Sequence, residues 1–458
     1  MKILILGAGQ VGTTAAYSLA REEANEVTIV DWNPEVLRDL QDRLDVRTVV
    51  GNAAYPDVLE RAGARDADMM IALTNSDEIN MVACQVAYTL FRTPTKIARI
   101  RSRELTSNEQ LFAQDALPVN VTVSPEALVT EHIEQLIHYP GALQVLEFAD
   151  GRIRLVATRA LQGGALVGNP LSELPKHIPN VECRVVAIYR GDRGIIPDGS
   201  TVVAAGDEVF FIAARKDIRT VLSEMRKLDD PVRRVVIAGG GNIGLRLAGA
   251  LEATNQVKII ERDRKRAREI SERLSRAIVL HGDAADEELL LEENIDGADV
   301  FVAVTNAEEA NILSAMLAKR LGAHKVMALI NRPAYAELME AGTIDIAISP
   351  QQITLGTLLA HVRRGDVVKV HSLRRGAAEA IEAIAHGDAE QSRVVGRRID
   401  EIELPRGAAI NAIVRDEQVL MAHHDTVIEE DDHVILFLGD KRQIDEVERL
   451  FEVGVAFV

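Results

Sequence analysis

Two stretches of the chain carry the same glycine spacing at the end of an apolar run. They are Gly7-Ala8-Gly9-Gln10-Val11-Gly12 after KILIL, and Gly239-Gly240-Gly241-Asn242-Ile243-Gly244 after VVIA. The spacing G-x-G-x-x-G suits the pyrophosphate of a dinucleotide. The first two glycines permit a tight turn and a close approach of phosphate to backbone, and the third lets the following helix pack against the strand. Backbone N–H groups at the helix start then face the phosphates. An acid closes the next apolar run in each case, Asp31 in EVTIVD and Glu261 in VKIIE. That is about 20 residues past the glycines, where a carboxylate accepts hydrogen bonds from ribose hydroxyls. A carboxylate there repels a 2′-phosphate, which disfavours NADP and leaves NAD or ATP. The competing reading is a Rossmann domain whose cleft stays empty.

Further polar groups fall at the ends of later apolar runs, where open α/β sheets bind ligands. These are Gly51-Asn52 and Gly282-Asp283, then Thr74-Asn75 and Thr305-Asn306. In TNSDE and TNAEE the same residues also suit helix capping, and the two roles are compatible. KIARIRSRE aligned with KVMALINRP sets Arg99 opposite Ala328 and Arg101 opposite Ile330, while Arg103 keeps a counterpart in Arg332. A guanidinium near a phosphate chain neutralises its charge, which is the reading favoured for Arg99. The alternative is that these arginines pair only with nearby acids such as Glu104.

The elements that must position these groups repeat. GNAAYPDVLERAGARDADMMIALTNSDEIN aligns with GDAADEELLLEENIDGADVFVAVTNAEEAN, and TVSPEAL answers AISPQQI. Agreement over more than a hundred residues indicates duplication. Within each copy, continuous β-branched runs alternate with stretches of helical spacing such as NMVACQVAYTLF, the pattern of a parallel sheet covered on both faces. After each copy come short runs punctuated by PDG and AGD turns, then a charged helical segment. The expected architecture is α/β: two tandem Rossmann-like parallel-sheet domains, 1–125 and 232–350, each followed by a small β-rich α+β lobe, 140–227 and 366–453. The segment RKLDDPVRR around Pro231 divides the halves.

Composition narrows the function class. Across 458 residues, 70 acids against 52 basic residues give a net charge of −18, unsuited to a nucleic-acid surface. The basic run Arg262–Arg273 contains acids at helical spacing and reads as a solvated helix face. Cys84 and Cys183 are read as reduced thiols. The longest stretch free of Lys, Arg, Asp and Glu, Ile346 to Val362, falls short of the roughly 20 apolar residues a membrane span requires. No direct span is expected. No histidine recurs in both halves, and His423-His424 reads as a solvated hairpin rather than a metal site. No catalytic residue and no metal are assigned.

The tandem fingerprints, LTNSDEIN, TNAEEANILSAMLAKRLGAHKV, YPGALQV, GDEVFFIA and HSLRRGAAEAIEAIAHGD together resemble the TrkA family along essentially the whole chain. These are cytosolic regulatory subunits of the bacterial Trk potassium-uptake system. One departure is an extra residue in REEANEV. The resemblance implies two regulator-of-potassium-conductance (RCK) units per chain, each an N-terminal nucleotide-binding lobe and a C-terminal lobe. It implies NAD or NADH binding, ATP/ADP-sensitive gating without catalysis, and homo-oligomeric assembly as a dimer or ring. It also implies a membrane-embedded potassium-translocating partner and a peripheral place on the cytoplasmic face of the inner membrane. In the family, crossover helices join adjacent subunits. Here Ile133, Leu136 and Ile137, then Leu358, Leu359 and Val362, form candidate apolar stripes, with packing inside one chain as the alternative. The arginine difference predicts that the first half discriminates ATP from ADP and the second prefers NAD or NADH. A two-site NAD-dependent oxidoreductase is the rival reading.

Overall fold

Each glycine-rich run begins a parallel sheet. The computed structural model describes residues 1–452 apart from 23, 114–115, 192, 228, 333–334, 336–341, 364–365 and 374–377. The chain divides into two units, one formed by Met1–Val129 with Ser349–Leu358 and the other by the remainder.

The first unit holds strands β1 (Lys2–Leu6), β2 (Glu26–Asp31), β3 (Arg47–Val50), β4 (Met69–Ala72), β5 (Thr95–Arg99) and β6 (Val121–Val123). They pair in the order β3-β2-β1-β4-β5-β6, all parallel. Strand β4, MMIA, is buried on both faces, which is why it lacks the alternation of a half-exposed strand. Leu4, Leu6, Met70, Ala83, Cys84 and Ile100 belong to one core between sheet and helices. The reversal of strand order falls between β1 and β4, the crevice where sheets of this kind take ligands.

In the second unit the duplicated sheet follows the same plan. Strands β12 (Arg234–Ala238), β13 (Gln256–Glu261), β14 (Ile278–His281), β15 (Val300–Ala303), β16 (Lys325–Leu329) and β17 (Ile346–Ile348) pair in the order β14-β13-β12-β15-β16-β17. Before it lies an antiparallel sheet of β7 (Ala142–Phe148), β8 (Ile153–Arg159), β9 (Cys183–Arg190), β10 (Arg193–Ile195) and β11 (Glu208–Ala214). After it, β18 (Val367–Leu373), β19 (Ala378–Ile384), β20 (Ala408–Arg415), β21 (Gln418–Met421) and β22 (His433–Leu438) repeat that design. The fold is therefore two Rossmann-like sheets, each followed by a small β-rich lobe.

The two small lobes share a core. Phe148, Leu155 and Phe210 of the first pack in one cluster with Ala380, Val414 and Phe437 of the second. Ala149 N–H donates to Glu382 Oε2 at 2.9 Å across this junction. Both apolar stripes are buried within the chain: Ile133, Leu136 and Leu358 are at 0% exposure, with Ile137, Leu359 and Val362 close to it. His423 and His424 lie exposed at a turn.

Each lobe is pinned by one buried aspartate. Arg190 Nε and Nη2 donate to the two oxygens of Asp207, both at 2.8 Å, and Ala204 N–H adds a third bond. Arg415 holds Asp432 in the same way, with Glu429 N–H as the third donor. Burial alone would raise the Asp207 carboxyl, but the Arg190 guanidinium and the Ala204 amide outweigh it and hold the pKa below the usual carboxylate value. Asp207→Asn is therefore expected to destabilise the first lobe by about 2–4 kcal/mol at neutral pH. The native carboxylate contributes fully above its unfolded pKa and loses that contribution as pH falls through its depressed folded value. Urea unfolding followed from neutral pH into acid should show the mutant and native midpoints converging.

Candidate functional site

Steric limits shape the loop between β1 and the Gln10–Leu19 helix. Gly7 has φ +100°, a left-handed conformation, and a Cβ on Gly12 would lie 1.9 Å from the Gly7 carbonyl oxygen. Gly239 (φ +109°) and Gly244 reproduce both features, with the same 1.9 Å approach. Only glycine fits these four places. Gly9 and Gly241 differ. Each is the N-cap of its helix with negative φ, and a Cβ there would meet no atom within 4 Å. No side chain caps either helix.

Ala8 occupies the second loop position in the first half, where the second half has Gly240. A Cβ on Gly240 would stand 2.6 Å from Ile270 Cδ1 and 2.9 Å from Glu261 Oε2. Glutamate is one methylene longer than aspartate and reaches into the space that Ala8 fills opposite Asp31. The acid and the loop residue vary together.

Both acids clamp their loops. Asp31 Oδ2 accepts from Ala8 N–H at 2.7 Å and Oδ1 from Asn33 N–H at 2.8 Å. Glu261 Oε2 accepts from Gly240 N–H and Oε1 from Asp263 N–H, each at 2.7 Å. A carboxylate offers about four acceptor sites, so each keeps capacity for a further donor. Gly51 N–H donates to Asp31 O at 3.0 Å, and Gly282 N–H to Glu261 O likewise. These bonds bring Asn52 and Asp283 alongside. Each forms an Asx turn, accepting at 2.9 Å from Ala54 N–H and Ala285 N–H.

The Thr-Asn pairs sit at the ends of β4 and β15. They are not the caps of the helices that follow: Ser76 caps Asp77–Val86 by accepting from Ile79 N–H, and Ala307 stands at the other N-cap. What holds Thr74 is Asn80, whose Oδ1 accepts from Thr74 N–H and Oγ1 at 3.0 and 2.7 Å. Its Nδ2 donates to Arg99 O at 2.9 Å, tying the ends of β4 and β5 together. Asn311 does the same for Thr305 and Leu329 O. Asn80 is at 0% exposure and Asn311 at 1%. Neither is among the residues expected from sequence, although both close the repeated TNxxxxN string, and that recurrence is the signal for them.

The sheet register corrects the alignment of the fifth strands. Ala72 pairs with Ala98 and Ala303 with Ala328, so Arg99 corresponds to Leu329 rather than Ala328. Asp77 accepts from the N–H groups of Arg101 and Ser102, and Glu308 from those of Asn331 and Arg332. Arg101 therefore corresponds to Asn331, not Ile330, and Arg332 takes the place of Ser102, not Arg103. Matching Lys96 to Lys325 caused the slip. Lys96 Nζ donates to Thr93 O and Pro94 O, whereas Lys325 Nζ donates to Ala142 O, and burial pushes Lys325 down to about 8.

Arg99 reaches Glu126, Nη2 to Oε1 at 2.9 Å, and Arg101 Nε reaches Asp77 at 3.2 Å. Neither partner is Glu104. Arg99 Nε is buried without a hydrogen-bond partner among the described residues. Thr14 Oγ1 on the glycine-loop helix donates to Gln351 Oε1 at 3.1 Å, a contact no local pattern announces. Among the described residues no group of three or more His, Cys, Asp or Glu is placed to hold a metal.

Comparison with known proteins matches this arrangement. Residues 3–125 and 235–350 each match the TrkA-N domain, and residues 156–226 and 389–452 each match the TrkA-C domain. The chain is 61% identical to the Trk system potassium uptake protein TrkA of Halomonas elongata, covering 100% of both. The solved GsuK RCK domain shares the fold with a TM-score of 0.62 at 18% identity, over 98% of this chain and 94% of that one. The GsuK channel bound to NAD superposes with a TM-score of 0.61 at 18% identity, over 98% and 79%.

The loop geometry separates two kinds of glycine. Gly12→Ala should cost about 3 kcal/mol or more, because its methyl overlaps a backbone carbonyl. Gly9→Ala should stay within about 1 kcal/mol of the parent. Thermal unfolding of the two variants measures the contrast.

Proposed function

Because the chain belongs to the TrkA family of Trk-system potassium uptake proteins, we propose that it is a nucleotide-sensing regulatory subunit. In this reading it binds NAD(H) and ATP or ADP in its two parallel-sheet domains and gates a membrane-embedded potassium-translocating subunit. The observation that carries the nucleotide assignment is the open space at Gly9 and Gly241. The fold itself does not demand glycine at either place. A pyrophosphate lying against the backbone does, since a methyl there would hold it away from the helix N–H groups.

The proposed first site comprises Gly7 to Gly12, Asp31, Asn52, Thr74, Asn75 and Arg99. The second comprises Gly239 to Gly244, Glu261, Asp283, Thr305 and Asn306. Asp31 and Glu261 are the ribose acceptors, pre-oriented by their bonds to the loop. The work of these residues is binding and orientation, without a catalytic step. A nucleotide shifts a conformational equilibrium only by its differential affinity for the two states, and the proposed gating uses that difference. The same reading makes the subunit a homo-oligomer on the cytoplasmic face of the inner membrane. In this reading contact with the membrane runs through the partner; no helix among the described residues is long and apolar enough to cross a membrane.

Loss of either acid should affect its own cleft. Asp31→Ala is expected to weaken the first site by about 1.5–3 kcal/mol, tenfold or more in affinity, and leave the second nearly intact. Glu261→Ala should give the mirror result. Calorimetry on both variants tests this, and equal loss at both sites from either change contradicts it. The same protein incubated with NADH and candidate acceptors should show no sustained fall in nicotinamide absorbance.

Arg99 is the proposed reader of a terminal phosphate. It stands at the end of β5, where its guanidinium pairs with Glu126, and Leu329 in the second half supplies no charge. Arg99→Gln should lower ATP affinity at the first site more than ADP affinity and hardly alter NAD binding. It should also blunt ATP stimulation of potassium uptake when the membrane subunit is present. An unchanged ATP-over-ADP preference refutes the assignment.

A further inference from the structure

The residue after Asp31 is the chain's one tryptophan, and it is 77% exposed. Few positions make such exposure costlier, since an indole buries more apolar surface than any other side chain when covered. Its backbone is nevertheless held firmly on both sides. Asp31 Oδ1 accepts from Asn33 N–H at 2.8 Å, and Asn33 Oδ1 accepts from Glu35 N–H at 3.0 Å to start the Pro34–Arg43 helix. Gly51 N–H bonds to Asp31 O from the adjoining strand end. The indole thus rises from a fixed stem, one residue past the carboxylate that clamps the glycine loop.

A second aromatic stands on the neighbouring loop. Tyr55, after β3, is 57% exposed, and its N–H donates to Asn52 O at 3.1 Å. The two aromatic residues therefore belong to the loops on either side of the Asp31–Gly51 bond. The second half has no aromatic in either place: Arg262 follows Glu261, and Asp286 answers Tyr55.

We propose that Trp32 is the base-stacking platform of the first cleft, taking the purine ring of an adenine nucleotide whose ribose is bound by Asp31. The inference rests on the nucleotide reading above and adds to it the residue that reads the base. A ribose bonded to the Asp31 carboxylate projects its base away from the glycine loop, toward the ends of β2 and β3, where Trp32 and Tyr55 stand. Stacking covers one indole face and requires no particular hydrogen-bond pattern. With a charged residue at the equivalent place, the second cleft recognises the base differently.

Because the chain has a single tryptophan, its fluorescence reports on the first cleft alone. Adding ADP to the full-length protein should quench the emission saturably, and pyrophosphate, which has no base, should leave it unchanged. Trp32→Leu should weaken ADP binding at the first site roughly tenfold. Trp32→Phe should recover most of that loss, and neither variant should alter the second site. Unchanged emission while calorimetry shows Asp31-dependent ADP binding overturns the proposal and leaves the nucleotide reading standing. So does a Trp32→Leu protein with native ADP affinity, including one whose self-association or docking to the membrane subunit is impaired instead, which assigns the indole to a protein interface. No nucleotide binding at all by calorimetry defeats both.

Discussion

The contact on which each parallel-sheet domain depends is between the α-carbon of its third glycine and the carbonyl oxygen of its first. At Gly12 and Gly244 there is no room for a single methyl group. That closeness lets the helix begin immediately above the strand, with Ala15, Ala16 and Leu19 buried against the sheet in the first half. Glycine inside a helix costs about 0.5–1 kcal/mol in conformational entropy relative to alanine, and the burial of this helix face offsets it. The open amide end of the helix and the placement of Gly9 at its N-cap both follow from this entry.

Around that contact, the rest of the site is held by side chains bonded to backbone. Asp31 joins the end of β2 to the glycine loop, and Asn80 joins the end of β4 to the end of β5. Buried polar groups of this kind are expensive when unpaired and rigid when satisfied. Their effect is to fix the strand ends as one surface before any ligand arrives. The second half keeps every one of these bonds, with Glu261 and Asn311 in the same roles.

The two copies differ in chemistry at several positions beside the clefts. Trp32 and Arg262, Tyr55 and Asp286, and Arg99 and Leu329 are equivalent positions of unlike chemistry. The shared scaffold is constrained by packing. Duplication followed by this kind of divergence yields two clefts of one geometry lined by unlike side chains.

The parts of this molecule that sequence alone determined are those with local causes. Alternating apolar runs and helical spacing identified two parallel sheets, and the glycine spacing located the loops, because strand period, helix period and a left-handed φ are properties of a few consecutive residues. Repetition revealed the duplication for the same reason. Tertiary structure decided whatever depends on residues distant in the chain. The equivalence of Arg99 and Leu329 follows from inter-strand register, to which the matching lysines were a false guide. The pairing of Arg99 with Glu126 rather than Glu104, the burial of Asn80 between two strand ends and the reach of Thr14 to Gln351 are likewise set by packing. A side chain's partner is fixed by which strands and helices become neighbours, and that is a property of the assembled sheet.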